Sequence, residues 1–299
     1  MSEYETDTFE SEDEVYELSR RDVGAVLEAV EAGARDELIS LMEPMHAADI
    51  ADLLEQISSA DRYALIELYG VEFDGEILSE LDESIREDVI SALRPEVLAE
   101  AVRELESDDV VDLLEDLEQL QQDAIFNALD DADAMVARQA LSYPEDSAGR
   151  MMQREVVAAP EHWCVGDVID FMRSSEDLPE QFYHVVLVDP RMHPVGNVTL
   201  GRIMGAPRKQ PLSDLTEEVF QIIPVDQDEG DVAYAFNQYH LISAPVVDDE
   251  GRLVGVITID DAMVVLDEEH EEDILRLAGV GEGSLTDRVI STTKRRFPW

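Results

Sequence analysis

Lysine is nearly missing from this chain: Lys209 and Lys294 are the only two in 299 residues. Lys and Arg together number 21 against 71 Asp and Glu, a formal net charge of −50. A surface so negative repels phosphate backbones, which excludes nucleic acid as a partner. The single cysteine, Cys164, rules out an internal disulfide framework and fits a reducing compartment. No cationic segment leading into an apolar run opens the sequence, so no signal peptide is expected. No stretch of about 18 apolar residues occurs, so nothing here is expected to span a bilayer. A P-loop, a dinucleotide fingerprint and a nucleophile elbow are all missing, and the six histidines show no zinc spacing. Enzymatic activity has no residue support.

Apolar residues make up 45% of the chain, enough to build folded cores in spite of the charge. The length predicts two or three domains. Acids are spread throughout, a pattern that resembles proteins of salt-loving organisms, whose self-repulsion is screened at molar salt. The opening MSEYETDTFESEDE reads as a disordered acidic tail.

A twelve-residue period runs through the first half. Leu81, Leu93, Leu105, Leu117 and Leu129 are its clearest trace, preceded three residues earlier by Leu78, Ile90, Val102, Leu114 and Phe126. The register extends upstream to Leu41, Met42 and Met45, giving eight units with apolar positions i, i+1 and i+4. That spacing is helical, and the short polar joints between units supply N-cap candidates such as Ser107 and Asp130. Helices of about two turns cannot bury a stripe alone, so a superhelical solenoid is expected over 38–143. A single long helix is opposed by Pro95 and by rotation of the stripe off one face.

The second half repeats with an offset of 59. Residues 184–204 and 243–263 align Asp189 with Asp248, Gly196 with Gly255, Thr199 with Thr258 and Met204 with Met263. Each copy reads as strand, turn, strand and helix, with a further helix upstream, a tandem β-α-β-β-α module.

The stretch DDAMVVLDEEHEED, residues 260–273, holds eight acids and no Lys or Arg. Its acids are solvated, or pair with bases elsewhere, or await a cation. On a helix, Asp261, Glu268, Glu269 and Glu272 fall near one another. Hard divalent ions take oxygen ligands, and Mg²⁺ needs only one or two carboxylates directly. A second acidic cluster stands at Asp108, Asp109 and Asp112.

The tandem resembles a pair of cystathionine-β-synthase (CBS) domains. With YPEDSAGRMM joining it to a helical array, and DILRLAGV following it, nearly the whole chain resembles the MgtE-type magnesium channel family. The resemblance implies a multidomain α and α+β chain: an acidic tail and first helix (1–37), a helical N domain (38–143), CBS domains at 144–210 and 211–272, and a connecting plug helix (273–299). It implies a cytosolic Mg²⁺ sensor on the inner face of the plasma membrane, homodimeric through its CBS pair. The five-helix membrane pore would follow Trp299. Mg²⁺ bridging the N domain to the CBS and plug region would close that pore. By local motif, family ligand positions fall on Glu76, Asp108, Asp112, Asp261, Glu269, Glu272 and Asp273. One further family acid is Val264 here. CBS pairs often bind adenine nucleotides, with an acid after a Ser or Thr holding the ribose. Thr258 and Asp261 keep that arrangement, while Arg202 replaces the acid in the first copy. The alternative is a freestanding CBS-pair nucleotide regulator.

Overall fold

The computed structural model describes residues 19–277 apart from 116, 118, 176, 177 and 180. The acidic tail and the connecting segment beyond 277 lie outside the described residues. The chain divides into two compact units, residues 1–142 and 143–299.

The first unit is helical. It runs α1 (Arg20–Ala32), α2 (Arg35–Met42), α3 (Ala47–Gln56), α4 (Ser59–Tyr69), α5 (Glu76–Ser79), α6 (Glu83–Ala92), α7 (Pro95–Glu104), α8 (Ser107–Glu115), α9 (Gln119–Ala128) and α10 (Asp131–Ala140). Helix starts at 35, 47, 59, 83, 95, 107, 119 and 131 follow the twelve-residue period, with one start skipped at 71. There Gly70, at φ 64°, ends α4 and a 3₁₀ turn over Gly70–Glu72 takes its place. Between regular helices the joint is two extended residues. Ile57 and Leu93 end α3 and α6 in β conformation while keeping their side chains in the core. Ser58, Asp82 and Asp130 cap the next helices through their side-chain oxygens. Ser107 is the first residue of α8 and not its cap, a one-residue correction to the sequence reading.

One core runs the length of this unit, and the apolar triads supply it: Leu53, Leu65, Ile77, Val89, Ala101, Leu113 and Ile125 are all essentially inaccessible. Arg62 and Arg86 are buried with them. Arg62 donates to the carbonyls of Leu54 and Ile57, and Arg86 to that of Leu81, so each satisfies backbone oxygens left at the end of the preceding unit. Gly75 is needed by contact: a Cβ there would stand 2.1 Å from the Ala101 carbonyl oxygen of α7.

The second unit holds α11 (Ala148–Met151), β1 (Ala158–Pro160), α12 (Val165–Ser174), β2 (His184–Val188), β3 (Pro194–Thr199), α13 (Leu200–Gly205), β4 (Ile223–Pro224), α14 (Glu229–Tyr239), β5 (Ser243–Val247), β6 (Leu253–Thr258) and α15 (Ile259–Leu277). Two three-stranded sheets form, β1-β2-β3 and β4-β5-β6, each with one parallel and one antiparallel pairing. The 59-residue repeat is reproduced in the hydrogen-bond register. His184 pairs with Thr199 and Ser243 with Thr258, and the bulge at Leu187/Val188 recurs at Val246/Val247. Asp189 and Asp248 fold both hairpin turns the same way, each accepting two backbone N–H groups from residues two and four ahead.

Residues 147–153, which chain order places with the first repeat, pack on the second. Gln153 and Val256 exchange both backbone hydrogen bonds at 2.9 Å, and Ala148 and Met152 enter the core of Phe236, Val246 and Ile257. Gly255 is required there, since a Cβ would meet the Gln153 carbonyl oxygen at 2.6 Å. α15 runs unbroken across residues 272 and 273, the expected boundary between CBS domain and plug.

Candidate functional site

On the first unit, three expected ligand residues lie on two helices that touch. Glu76 opens α5 and is exposed; Asp108 stands in the first turn of α8, with Asp112 one turn on. Gly75 brings α5 close to the array and so sets where Glu76 stands. Asp112 is not without a cation: its Oδ2 accepts from Arg86 Nη1 at 2.7 Å. Its carboxylate is largely exposed, so its other oxygen faces water. Among the described residues, no group of three His, Cys, Asp or Glu stands close enough to hold a bare metal ion. A hydrated ion, contacting some carboxylates through water, asks less of the geometry.

On the second unit, α15 is a helix as expected, and its packed side is narrow. Ala262 and Val265 are buried, whereas Met263 and Val264 are 56% and 60% exposed. Position 264, where the family carries an acid, therefore faces solvent. Asp261 is committed locally. It accepts from the Thr258 hydroxyl at 2.9 Å and the Thr258 amide at 3.4 Å, closing the first turn of the helix. Burial, and next the charge of Asp260, push its pKa up to about 6 against the pull of those hydrogen bonds. Glu269, Glu272 and Asp273 lie further along the same helix, and their side chains are outside the described residues.

The two repeats meet at a polar junction that sequence reading missed. His184 Nδ1 lies 2.7 Å from Ser243 Oγ, two residues that occupy the same position in successive repeats. His184 Nε2 lies 3.2 Å from Glu217 Oε2, which also accepts from Asn197 Nδ2. Burial lowers the imidazole pKa, with Glu217 opposing. Glu217 only accepts, so the neutral ring carries its proton on Nε2 and takes the Ser243 hydroxyl proton at Nδ1. The available signal was a polar residue opening an otherwise apolar strand in both copies.

Beside this junction the cleft containing His184, Glu217, Tyr239 and Arg202 encloses about 270 Å³. Arg202, at the position matching Asp261, donates to the Leu215 and Thr216 carbonyls at 2.9 and 2.7 Å, so its guanidinium is held by backbone. The cleft bordered by Thr258 encloses only about 20 Å³, room for little more than a water. Thr258 and Asp261 thus stand together at the first turn of α15.

Comparison with known proteins places these features. The model of the MgtE intracellular N domain matches residues 45–146, and that of the CBS domain matches 212–268. The magnesium transporter MgtE of Thermus thermophilus is 31% identical over 257 residues, covering 85% of this chain and 57% of the relative. That of Bacillus subtilis is 23% identical over 263 residues, covering 87% and 58%. The chain therefore spans a little over half the length of these relatives. Among solved structures, the soluble part of a magnesium transporter matches with a TM-score of 0.72 and 25% identity over 83% of this chain and 98% of its own. The cytosolic domain of the Mg²⁺ channel MgtE in complex with ATP matches with a TM-score of 0.74 and 28% identity, covering 81% and 99%.

Proposed function

We propose that this chain, which carries an MgtE intracellular N domain and CBS repeats and is homologous to solved cytosolic regions of magnesium transporters, senses Mg²⁺ and gates an attached pore. The observation that carries this reading is the placing of Glu76, Asp108 and Asp112 on the touching helices α5 and α8. The proposed counterpart on the other unit is Asp261 with Glu269, Glu272 and Asp273, all on the acidic helix α15. Mg²⁺ keeps several waters and bridges through one or two carboxylates, so it can lie between such surfaces and cancel their repulsion. At high Mg²⁺ the units are held together and the pore is closed; at low Mg²⁺ the unscreened acids part them. In this reading the pore lies in the part of the relatives that this chain does not cover and the chain sits on the cytoplasmic side of the plasma membrane, as its likeness to a solved cytosolic domain supports. The acid excess serves a salt-rich cytoplasm. The CBS pair supports a homodimer: Met204 and Met263, equivalent under the repeat, are both mostly exposed, and matching apolar patches suit a two-fold interface.

Small-angle scattering at constant high KCl tests the latch. Added Mg²⁺ shrinks the radius of gyration and slows proteolysis at the joint, with stabilisation of about 2.7 kcal/mol at a hundredfold excess over Kd. Asp108→Asn with Asp112→Asn abolishes the response, as does Glu269→Gln with Glu272→Gln, and combining the pairs adds little. Four small independent effects, or a parent blind to Mg²⁺, would reduce these acids to salt adaptation.

A second reading is adenine-nucleotide regulation, favoured by the ATP in one solved relative and by the open cleft beside His184. The basic Arg202 in place of the ribose-binding acid weighs against it. Calorimetry decides: no micromolar ATP binding is expected.

A further inference from the structure

The first unit contains a cavity of about 270 Å³ that the magnesium reading does not use. Its floor is apolar, made by Ile39, Met42, Met45 and Ile50 from α2, α3 and the joint between them. Its rim is acidic: Glu43, Glu72 and Asp74 all border it. Arg35 engages one of the three, reaching Glu72 at 3.1 Å, and Asp74 spends one oxygen on the Glu76 amide.

Tyr69 supplies the independent observation. It lines the cavity, it is 7% exposed, and among the described residues its hydroxyl makes no hydrogen bond. Burial, followed by the charges of Glu72 and Asp74, raises its pKa, so the phenol keeps its proton. The ring is buried while its hydroxyl oxygen opens onto the cavity, where a bound polar group can take up its hydrogen bond. The cavity thus offers a neutral oxygen and net negative charge at one end and alkyl surface at the other.

A bare divalent ion does not suit it, because the floor supplies no oxygen and no three acids converge within metal-binding distance. An anion is repelled by the rim. We propose that this cavity binds an aliphatic ammonium ion, its methylene stem on Ile39, Met42 and Ile50 and its head between Glu43, Asp74 and the Tyr69 hydroxyl. Alkyl stems with charged ends pack on apolar walls in this way. The volume lies at the small end of ligand pockets, which limits the guest to a few carbons.

The test is calorimetry of the full chain with n-butylammonium chloride at fixed high KCl, with tetramethylammonium chloride and extra KCl as controls. Saturable binding of butylammonium alone is expected. Tyr69→Phe removes only the unpartnered oxygen, so the free protein melts no lower than the parent, yet binding weakens roughly threefold or more. Glu43→Gln, on the exposed rim, weakens binding similarly and leaves the Mg²⁺ response of the parent intact. Equal heats from the controls, or butylammonium binding unchanged in Glu43→Gln, would overturn the proposal. So would a Tyr69→Phe chain that melts several degrees lower while binding as the parent does, since the hydroxyl would then have a structural partner.

Discussion

Asp261 holds its proton more tightly in the folded chain than a free aspartate does. Its pKa of about 6 lies above the unfolded value of 3.8, so the folded state holds the proton more tightly. Without divalent ions, this group therefore contributes stability that is full below pH 3.8 and is lost as pH rises through 6. The slope approaches about 1.4 kcal/mol per pH unit inside that window. Melts in chelator from pH 7 to pH 5 should show the gain, and Asp261→Asn should remove that part of it. If the carboxylate also ligates Mg²⁺, ion affinity moves the opposite way and weakens below pH 6; affinity flat from pH 8 to 5 would take Asp261 out of the site. Sequence placed this acid on its helix, but it could not show that Thr258 already binds it, because that depends on how the first turn closes. The Asp112 partnership with Arg86 was hidden for a similar reason: 26 residues separate them, and only the folding of the helical array brings the two side chains together. Removing that partner is informative. Arg86→Met strands the Leu81 carbonyl and should cost about 1–3 kcal/mol in urea denaturation. Asp112→Asn, on the exposed side of the pair, should cost less than about 1 kcal/mol.

Among the elements, the twelve-residue helices were the most legible, because one pattern repeated through eight units overdetermines itself. The unit after α4 has the same apolar triad, Ile77, Leu78 and Leu81, yet folds as a 3₁₀ turn and a single turn of α-helix. Its glycines were the available sign. Gly70 turns the chain through positive φ, and Gly75 lets α5 press on the α7 backbone. Gly75→Ala should therefore cost the first unit about 2–4 kcal/mol, since backbone and not a movable side chain stands in the way. A thermal melt of that variant matching the parent would mean that α5 can slide. The edge strands β1 and β4, of three and two residues, left no readable period; the sheets they join make them strands. α15 showed its helical character but not its buried face, because Met263 to Leu266 are all apolar and periodicity cannot choose among four adjacent residues.

For the whole molecule, 71 acids against 21 bases set the dominant condition: charge repulsion that only salt or bound cations relieve. Circular dichroism across KCl should show helicity and melting temperature rising from about 20 mM to 2 M, with millimolar Mg²⁺ replacing part of the monovalent requirement. Full helicity and an unchanged melting temperature across that range would mean that the cores outweigh the charge unaided.

The contact between His184 and Ser243 has a further consequence. Two related modules meet here, and these residues are one position meeting its own counterpart. The pair needs one donor facing one acceptor, and here the hydroxyl gives while the imidazole takes. Imidazole and hydroxyl can each give or take; ammonium only gives and an ionised carboxylate only takes. The contact thus restricts what either copy can become: like charges at both positions should not be tolerated, whereas exchanging the two residues, His184→Ser with Ser243→His, should keep their mutual bond and lose only the one from the ring to Glu217.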